Sequence, residues 1–479
     1  MSGIKRLGGS VVALFVLFTC AAGCSSKSKT DEATKPAANG ADAGGPTMPT
    51  VWGVDEFVDE NPDPKIVEVH LEAAASTTTD YQSGATTKIV TYNGTVPGPL
   101  LQAHVGDEII VHFTNHHSAP TTIHWHGLRI SDDMDGSPRI QQPIPPGGEF
   151  TYRFKAPDPG TFWYHPHVHA NEQVEDGMYG TIVIRGDKEP TYDRERYLVL
   201  DDVLLDDKGQ IAVQPFQSGM NAMHGRYGNV LLTNGKESTR VRGEAKAGEV
   251  ERWRIVNTAN ARTMTVGITG AKFKVIGTDG GLLPESYTTT RLDVPVGARF
   301  DPEVTYDAPG TAKLVNYIPT QNAKGDIVDQ PVNALQVDVG EGGAPREIER
   351  PTVDALPARS PSKNVTIEIN AIQTSLGQIQ WQLNGMSNMD APLFTFKKGE
   401  TVRVKLVNKV GPEHPFHLHG QFFTIKDAKL PGLKDVVLVP GMSTVEIDAY
   451  FDNPGRWMAH CHNLEHSELG MMSEIVVEP

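Results

Sequence analysis

The sequence predicts an all-β protein built of three sandwich domains, and three observations carry that expectation. Gly (47) and Pro (34) are plentiful among the 479 residues, which favours many turns over long helices. Segments such as GDEIIVHFTN and GETVRVKLVN alternate apolar and polar residues, as half-buried strands do. The same set of turn and strand signals recurs three times along the chain.

Each copy opens on an Asn-Gly turn, at Asn93-Gly94, Asn234-Gly235 and Asn384-Gly385. A Gly-acid pair follows thirteen to fifteen residues later, at Gly106-Asp107, Gly248-Glu249 and Gly399-Glu400. Nine residues beyond each of these glycines stands an asparagine: Asn115, Asn257 and Asn408. The second half of each copy repeats a turn at Gly147, Gly297 or Gly441, then a strand, then Pro159-Gly160, Pro309-Gly310 or Pro454-Gly455. Short strands with regular turn signals imply antiparallel sandwiches with Greek-key connections. The expected domains are 55–187, 188–342 and 360–479, with a Pro-, Gly- and charge-rich linker at 343–359.

The amino terminus reads as an address. Lys5 and Arg6 precede an apolar run over 11–22, too short to span a bilayer comfortably and suited to a signal peptide over 1–23. The run ends in Ala21-Ala22-Gly23-Cys24-Ser25, which resembles a bacterial lipobox, with Ala21 where leucine is commonest. Cys24 is then the expected lipid anchor, and 24–54 a small-residue, flexible tether to a membrane. That makes the chain an exported lipoprotein of the cell envelope, periplasmic or attached to the outer membrane. With 43 Lys+Arg against 59 Asp+Glu, a net charge of −16 argues against nucleic acid as a partner. Three cysteines are too few for a disulfide scaffold, and a monomer stabilised by packed cores is expected.

Ten of the seventeen histidines fall into four clusters. The first copy carries His124-Trp125-His126-Gly127, then His165-Pro166-His167 starting six residues beyond Pro159. The third copy carries His414, His417 and His419 where the first has its first cluster, and His460-Cys461-His462 starting six residues beyond Pro454. The middle copy has no histidine at either place, and Val315 stands six residues beyond Pro309. It reads as a spacer. His-x-His on a strand sends both imidazoles to one face, so Cys461 faces away from His460 and His462. Imidazoles alone do not name a metal. The Cys461 thiolate, with His414, His466 and the Met471 thioether, makes the ligand set of a blue-copper electron-transfer site. Electrons arriving at Cys461 would then have a short covalent route to His460 and His462. The remaining histidines, His70, His104, His112, His116, His117, His169 and His224, read as surface or core residues, although His169 continues the alternation beyond His167.

HWHG at 124–127, HPH at 165–167, HPFHLHG at 414–420 and HCHNLEHSELGM at 460–471 resemble the four copper signatures of the three-domain, laccase-like multicopper oxidases. That resemblance covers nearly the whole mature chain and implies cupredoxin-like domains holding four copper ions. It implies that His414, Cys461, His466 and Met471 hold the blue copper, and His124 and His417 the type 2 copper. It assigns the type 3 pair to His126, His165, His167, His419, His460 and His462. The implied activity is one-electron oxidation of a donor, four times over, with reduction of dioxygen to two waters. Asp135, eleven residues beyond His124, matches the acid that family members place near the type 2 copper and is the expected proton relay. At the second relay position many bacterial members have Glu, whereas Ser467 stands here, followed by Glu468.

The expected donor is a phenol or aromatic amine, oxidised at the exposed edge of a blue-copper histidine. The alternative is a metal ion, Cu(I), Fe(II) or Mn(II). Only one acid, Glu413, precedes His414, and Met220, Met223, Met386 and Met389 read as packing residues more than as thioether ligands. Retention of all ten histidines, Cys461 and Met471 argues against a copper-free structural relative.

Overall fold

The computed structural model describes residues 51–187, 189–212, 219–322, 325–353, 360–389, 391–428 and 432–479. The lipobox and most of the tether lie outside these residues, as do 354–359 of the linker. Among the described residues the strands form six sheets, two to each of three sandwiches.

In the first sandwich, a sheet of Thr87–Tyr92, Ile66–Thr79, Glu108–Asn115 and Glu149–Lys155 faces one of Gly98–His104, Gly180–Arg185, Gly160–His165 and His124–His126. Val69, Leu71, Val111, Phe113, Trp125 and Ile182 are buried between them. The third sandwich repeats this plan. Its outer sheet centres on Lys363–Gln373, Glu400–Asn408 and Thr444–Phe451, and its other sheet on Met472–Glu478, Gly455–Cys461 and His414–Leu418. The middle sandwich has the largest sheet, eight strands around Arg194–Val203 and Val250–Asn257.

The repeated asparagines have a common physical role. Asn93, Asn234 and Asn384 all have positive φ, near 50°, and each is followed by a glycine with positive φ, the conformation of a tight hairpin turn. Each side chain then clamps the first strand of its own sandwich. Backbone N–H groups of Glu72, Val199 and Glu368 donate to the three Oδ1 atoms at 2.7 Å. The Nδ2 groups donate to the carbonyls of His70, Tyr197 and Thr366. The later set, Asn115, Asn257 and Asn408, spans loop carbonyls in the same way, with Nδ2 donating to Ile144, Val294 and Val439.

Two expectations need correction. The sheets are mixed, not purely antiparallel: the first strand of every sandwich runs parallel to the strand after the Gly-acid turn, as Ile66–Thr79 does with Glu108–Asn115. The intervening chain crosses to the facing sheet and returns, which leaves both strands pointing the same way. Residues 51–54 also do not belong to a flexible tether. Val51–Trp52 pairs in parallel with Arg194–Val203, and the Trp52 ring lies 4.7 Å from the Arg196 guanidinium carbon. A strand of two residues is too short to show as periodicity.

Candidate metal centre

In the first sandwich His124 pairs across strands with His165, and in the third His417 pairs with His460. The two strand sets interleave. His124 stacks on His419 with ring centroids 3.8 Å apart, and His126 stacks on His417 at 3.9 Å with an interplanar angle of 9°. His167 lies 5.0 Å from His460 and His462 lies 5.0 Å from His126, centroid to centroid. All eight histidines of the four His-x-His pairs thus meet in one buried cluster between the first and third sandwiches.

Oxygen partners fix the tautomers of this cluster. Nδ1–H groups of His124, His165, His417 and His460 donate to the carbonyls of Asp135, Pro166, Asp435 and Cys461 at 2.8–2.9 Å. A carbonyl can only accept, so each of these rings keeps its Nε2 lone pair free. Nε2 of His124, His165, His167 and His417 is buried without a hydrogen-bond partner. These nitrogens, and His462 Nδ1 with them, fit the donors of a metal site, since leaving such groups unpaired costs stability. His126 is reversed: its Nε2 faces the Asp435 carboxylate at 3.3 Å, and its Nδ1 faces His462 at 3.2 Å.

On the opposite face of the same strand, the Cys461 Sγ lies 3.5 Å from His414 Nδ1 and 3.7 Å from His466 Nδ1. The local sequence explains how the chain returns on itself. Asn463 caps a short helix, Leu464–Glu468, accepting from the His466 N–H. The turn brings His466 back beside Cys461, and Gly470, with φ of 108°, redirects the chain so that the Met471 carbonyl accepts the Cys461 N–H at 3.1 Å. The Asn463 N–H donates to Sγ at 3.4 Å, and Met471 is fully buried in the same core as Cys461, whereas Met472 is half-buried. Burial pushes the Cys461 thiol well up, so a metal that binds the thiolate must displace its proton. Trp381 packs on both rings, 4.9 Å from His414 and 4.3 Å from His466.

Two aspartates hold the cluster in matching fashion. Asp135 accepts from His124 through its carbonyl and from His419 Nδ1 through Oδ2 at 2.8 Å. Asp435 accepts from His417 through its carbonyl and reaches His126 through Oδ1. Each therefore joins one imidazole from each sandwich. Asp435 was not apparent from the sequence, nor was its partner Arg299, whose guanidinium meets both carboxylate oxygens at 2.6 Å. Arg299 comes from the middle sandwich, which is more than a spacer. A Cβ on Gly297 would press against His126 and His462 at 3.0 Å. A Cβ on Gly127 would strike Arg299 and Asp435 within 2.7 Å, which accounts for glycine after HWH.

Neither residue at the second relay position reaches the cluster. The Ser467 hydroxyl donates to the Leu464 carbonyl, and Glu468 pairs at the surface with His169 at 3.1 Å. His169 itself has left the strand: it takes a φ of 47° and precedes a short helix, Ala170–Gln173. The buried acid beside His466 is Glu465, which accepts from Asn260 Nδ2 and the Arg226 N–H.

Burial, reinforced by neighbouring imidazoles, holds His126, His165, His167, His417, His419, His462 and His466 well below the ordinary histidine range. Burial brings His414 to about 3 and His460 to about 4. These groups are neutral in the folded protein and titrate near pH 6.5 when unfolded. Below about pH 6.5 the unfolded chain binds more protons, so metal-free protein loses stability as pH falls toward the folded values, by up to about 1.4 kcal/mol per pH unit for each group. Urea melts of metal-free protein between pH 7.5 and 4.5 should show this decline. Equal midpoints across that range would refute it.

Cysteine and imidazole donors buried on opposite faces of one strand, in a repeated β-sandwich, are the donor sets expected of a copper oxidoreductase. Family profiles described as multicopper oxidase match residues 73–189, 163–337 and 358–479. The multicopper oxidase MmcO of Mycobacterium tuberculosis is 31% identical over 82% of this chain and 84% of its own length. Laccase-1 of Botryotinia fuckeliana is 29% identical over 83% of this chain and 80% of its own. A solved structure, the multicopper oxidase of Campylobacter jejuni described as a metallo-oxidase, superposes with a TM-score of 0.79 at 26% identity, covering 90% of this chain and 96% of that one. The chain belongs to the multicopper oxidase family.

Proposed function

We propose that this protein is a four-copper oxidase that takes single electrons from a donor beside Cys461 and reduces dioxygen to two waters at the eight-histidine cluster. The observation that carries the reading is the position of Cys461 between His460 and His462. One strand thus joins the two donor sets covalently. In this reading His414, Cys461, His466 and Met471 hold the blue copper, His124 and His417 the type 2 ion, and His126, His165, His167, His419, His460 and His462 the type 3 pair. Copper bound there supplies reversible one-electron chemistry at the thiolate and multi-electron chemistry toward dioxygen. The protein's own part is to hold the imidazoles in the right tautomer, to exclude water and to deliver protons, four of which are consumed with four electrons per dioxygen. Asp135, bonded to His124 and His419, is suited to that delivery. Copper-loaded protein should show an intense visible thiolate-to-copper band and consume one dioxygen for every four electrons withdrawn. Absence of the band would refute the reading.

Asp135→Asn keeps an acceptor for His419 and loses the exchangeable proton. Turnover should fall by about 100-fold or more with the colour intact, and the acid limb of its pH profile should move. An unchanged profile would remove Asp135 from the relay.

The burial of both histidines beside Cys461 supports the alternative donor, a metal ion. A phenol oxidised at a bare imidazole edge requires such an edge, but His414 and His466 are both fully buried. The His466 Nε2–H donates to the Met223 carbonyl of helix Gly219–His224, contributed by the middle sandwich. Beside Asn463 lies a cavity of about 260 Å³ lined by His224, Tyr227 and Glu413. Imidazole and carboxylate together favour a small cation, Fe(II) or Mn(II) before the softer Cu(I), as donor over a phenol or aromatic amine. Glu413→Gln should lower kcat/KM for the metal ion by about 10-fold and leave phenol oxidation unaffected. An equal loss for both donors would return the phenol to first place. The lipid anchor at Cys24 rests on the lipobox resemblance and is tested by metabolic labelling with palmitate.

A further inference from the structure

We propose that the outward face of the first sandwich carries a second kind of metal site, which takes one borderline divalent cation such as Zn(II). It is built from His70, His112, Glu60 and Glu68. The proposal is independent of the oxidase reading.

The placement follows from strand register. Ile66–Thr79 and Glu108–Asn115 run parallel, and His70 lies opposite His112. Their neighbours Val69, Leu71, Val111 and Phe113 point into the core, so both imidazoles stand on the solvent face. The two rings stack with centroids 4.9 Å apart and an interplanar angle of 29°. A carboxylate flanks each one. His112 Nε2 lies 2.8 Å from Glu68 Oε1, and His70 Nε2 lies 3.5 Å from Glu60 Oε2. The order across the face is carboxylate, imidazole, imidazole, carboxylate.

Other contacts hold the row in place without filling it. Asn61 Nδ2 donates to Glu68 Oε2 at 2.7 Å, and Thr151 Oγ lies 3.3 Å from His112 Nδ1. Arg153, the nearby cation, is engaged with Glu108 at 3.1 Å. His70 and Glu60 also line a cavity of about 330 Å³ whose wall includes Asp55 and Glu56, so a cation meets an acid-lined hollow on approach.

Two imidazoles with carboxylate oxygen is a set that zinc accepts at about 2.0–2.1 Å from each donor. Bridging both rings requires their nitrogens to approach within about 3.4 Å, so on binding the rings must turn and His112 must exchange its contact with Glu68 or Thr151 for the metal. His70 is 58% exposed and His112 35%, so neither is locked by packing. The backbone beneath them is fixed by the ladder, so only rotamers must be ordered on binding.

The test is a Zn(II) titration of tag-free, copper-saturated full-length protein at pH 7.5 by calorimetry, with metal counted after gel filtration. The expected result is one zinc per chain with a Kd of about 10 µM. His70→Ala and His112→Ala should each weaken it by at least about 30-fold, Glu68→Gln should weaken it less, and oxidase turnover should not change. Zinc bound equally well by the His70→Ala/His112→Ala double variant would place it elsewhere and overturn the proposal. So would an absence of zinc binding to the parent protein at about 100 µM, ten times the expected Kd. Neither result bears on the colour or turnover that test the oxidase reading.

Discussion

Cys461→Ser abolishes both the visible band and donor oxidation while the protein stays folded. Serine occupies nearly the volume of cysteine, and the Asn463 N–H that now meets Sγ at 3.4 Å can be accepted by a hydroxyl. The loss in unfolding free energy of metal-free protein should therefore stay within about 1–2 kcal/mol. What disappears is the soft, polarisable sulfur proposed to bind copper with His414 and His466, which is joined through the backbone to His460 and His462. With no electron entry, turnover should fall by at least about a thousandfold. The test is absorbance, melting temperature and oxygen uptake on one copper-loaded sample. Oxidation at the parent rate by a colourless variant would mean that electrons enter elsewhere.

Arg299→Gln should empty the eight-histidine cluster and leave the cysteine site coloured. All five guanidinium N–H groups are in use: Nε donates to the Thr161 carbonyl, Nη1 to the Gly297 carbonyl and Asp435, and Nη2 to the Asp279 carbonyl and Asp435. One side chain of the middle sandwich thus bonds to the first and the third. Burial pushes the Asp435 carboxyl up and Arg299 opposes it, so removal of the guanidinium leaves that acid protonated and free to turn away from His126. Breaking a buried pair from one side costs about 3–5 kcal/mol. Copper per chain should drop while the visible band persists, and dioxygen reduction should fall by at least about 100-fold. Arg299→Lys, which keeps charge without the planar fork, should restore part of the copper and little of the activity. Full copper content in Arg299→Gln would show that the clamp is dispensable.

The clustered histidines were legible in the sequence because their spacing is a property of the repeat. The third copy sets His417, His419, His460 and His462 on strands matching those of His124, His126, His165 and His167. The residues that escaped notice act across large separations, as Arg299 and Asp435 do over 136 positions. A loop separates His419 from Asp435, and the first copy has no loop of that length before Asp135, so no common interval links the two acids. His169, read from the sequence as a surface or core residue, lies at the surface, because the strand that carries His165 ends at that residue. The covered edge of His466 depends on a helix lent by another sandwich. No pattern around Met220 or Met223 reveals which ring lies beneath that helix.

The location of the histidine cluster has a consequence for how the protein is made. His124 and His126 leave the ribosome long before His414, His417 and His460 exist, and Arg299 arrives between them. A nascent or truncated chain that ends with the first sandwich possesses only half of the cluster. Neither half can bind the full complement of metal alone. A filled eight-histidine cluster would therefore certify that the first and third sandwiches have folded and docked, with Arg299 of the middle one in place.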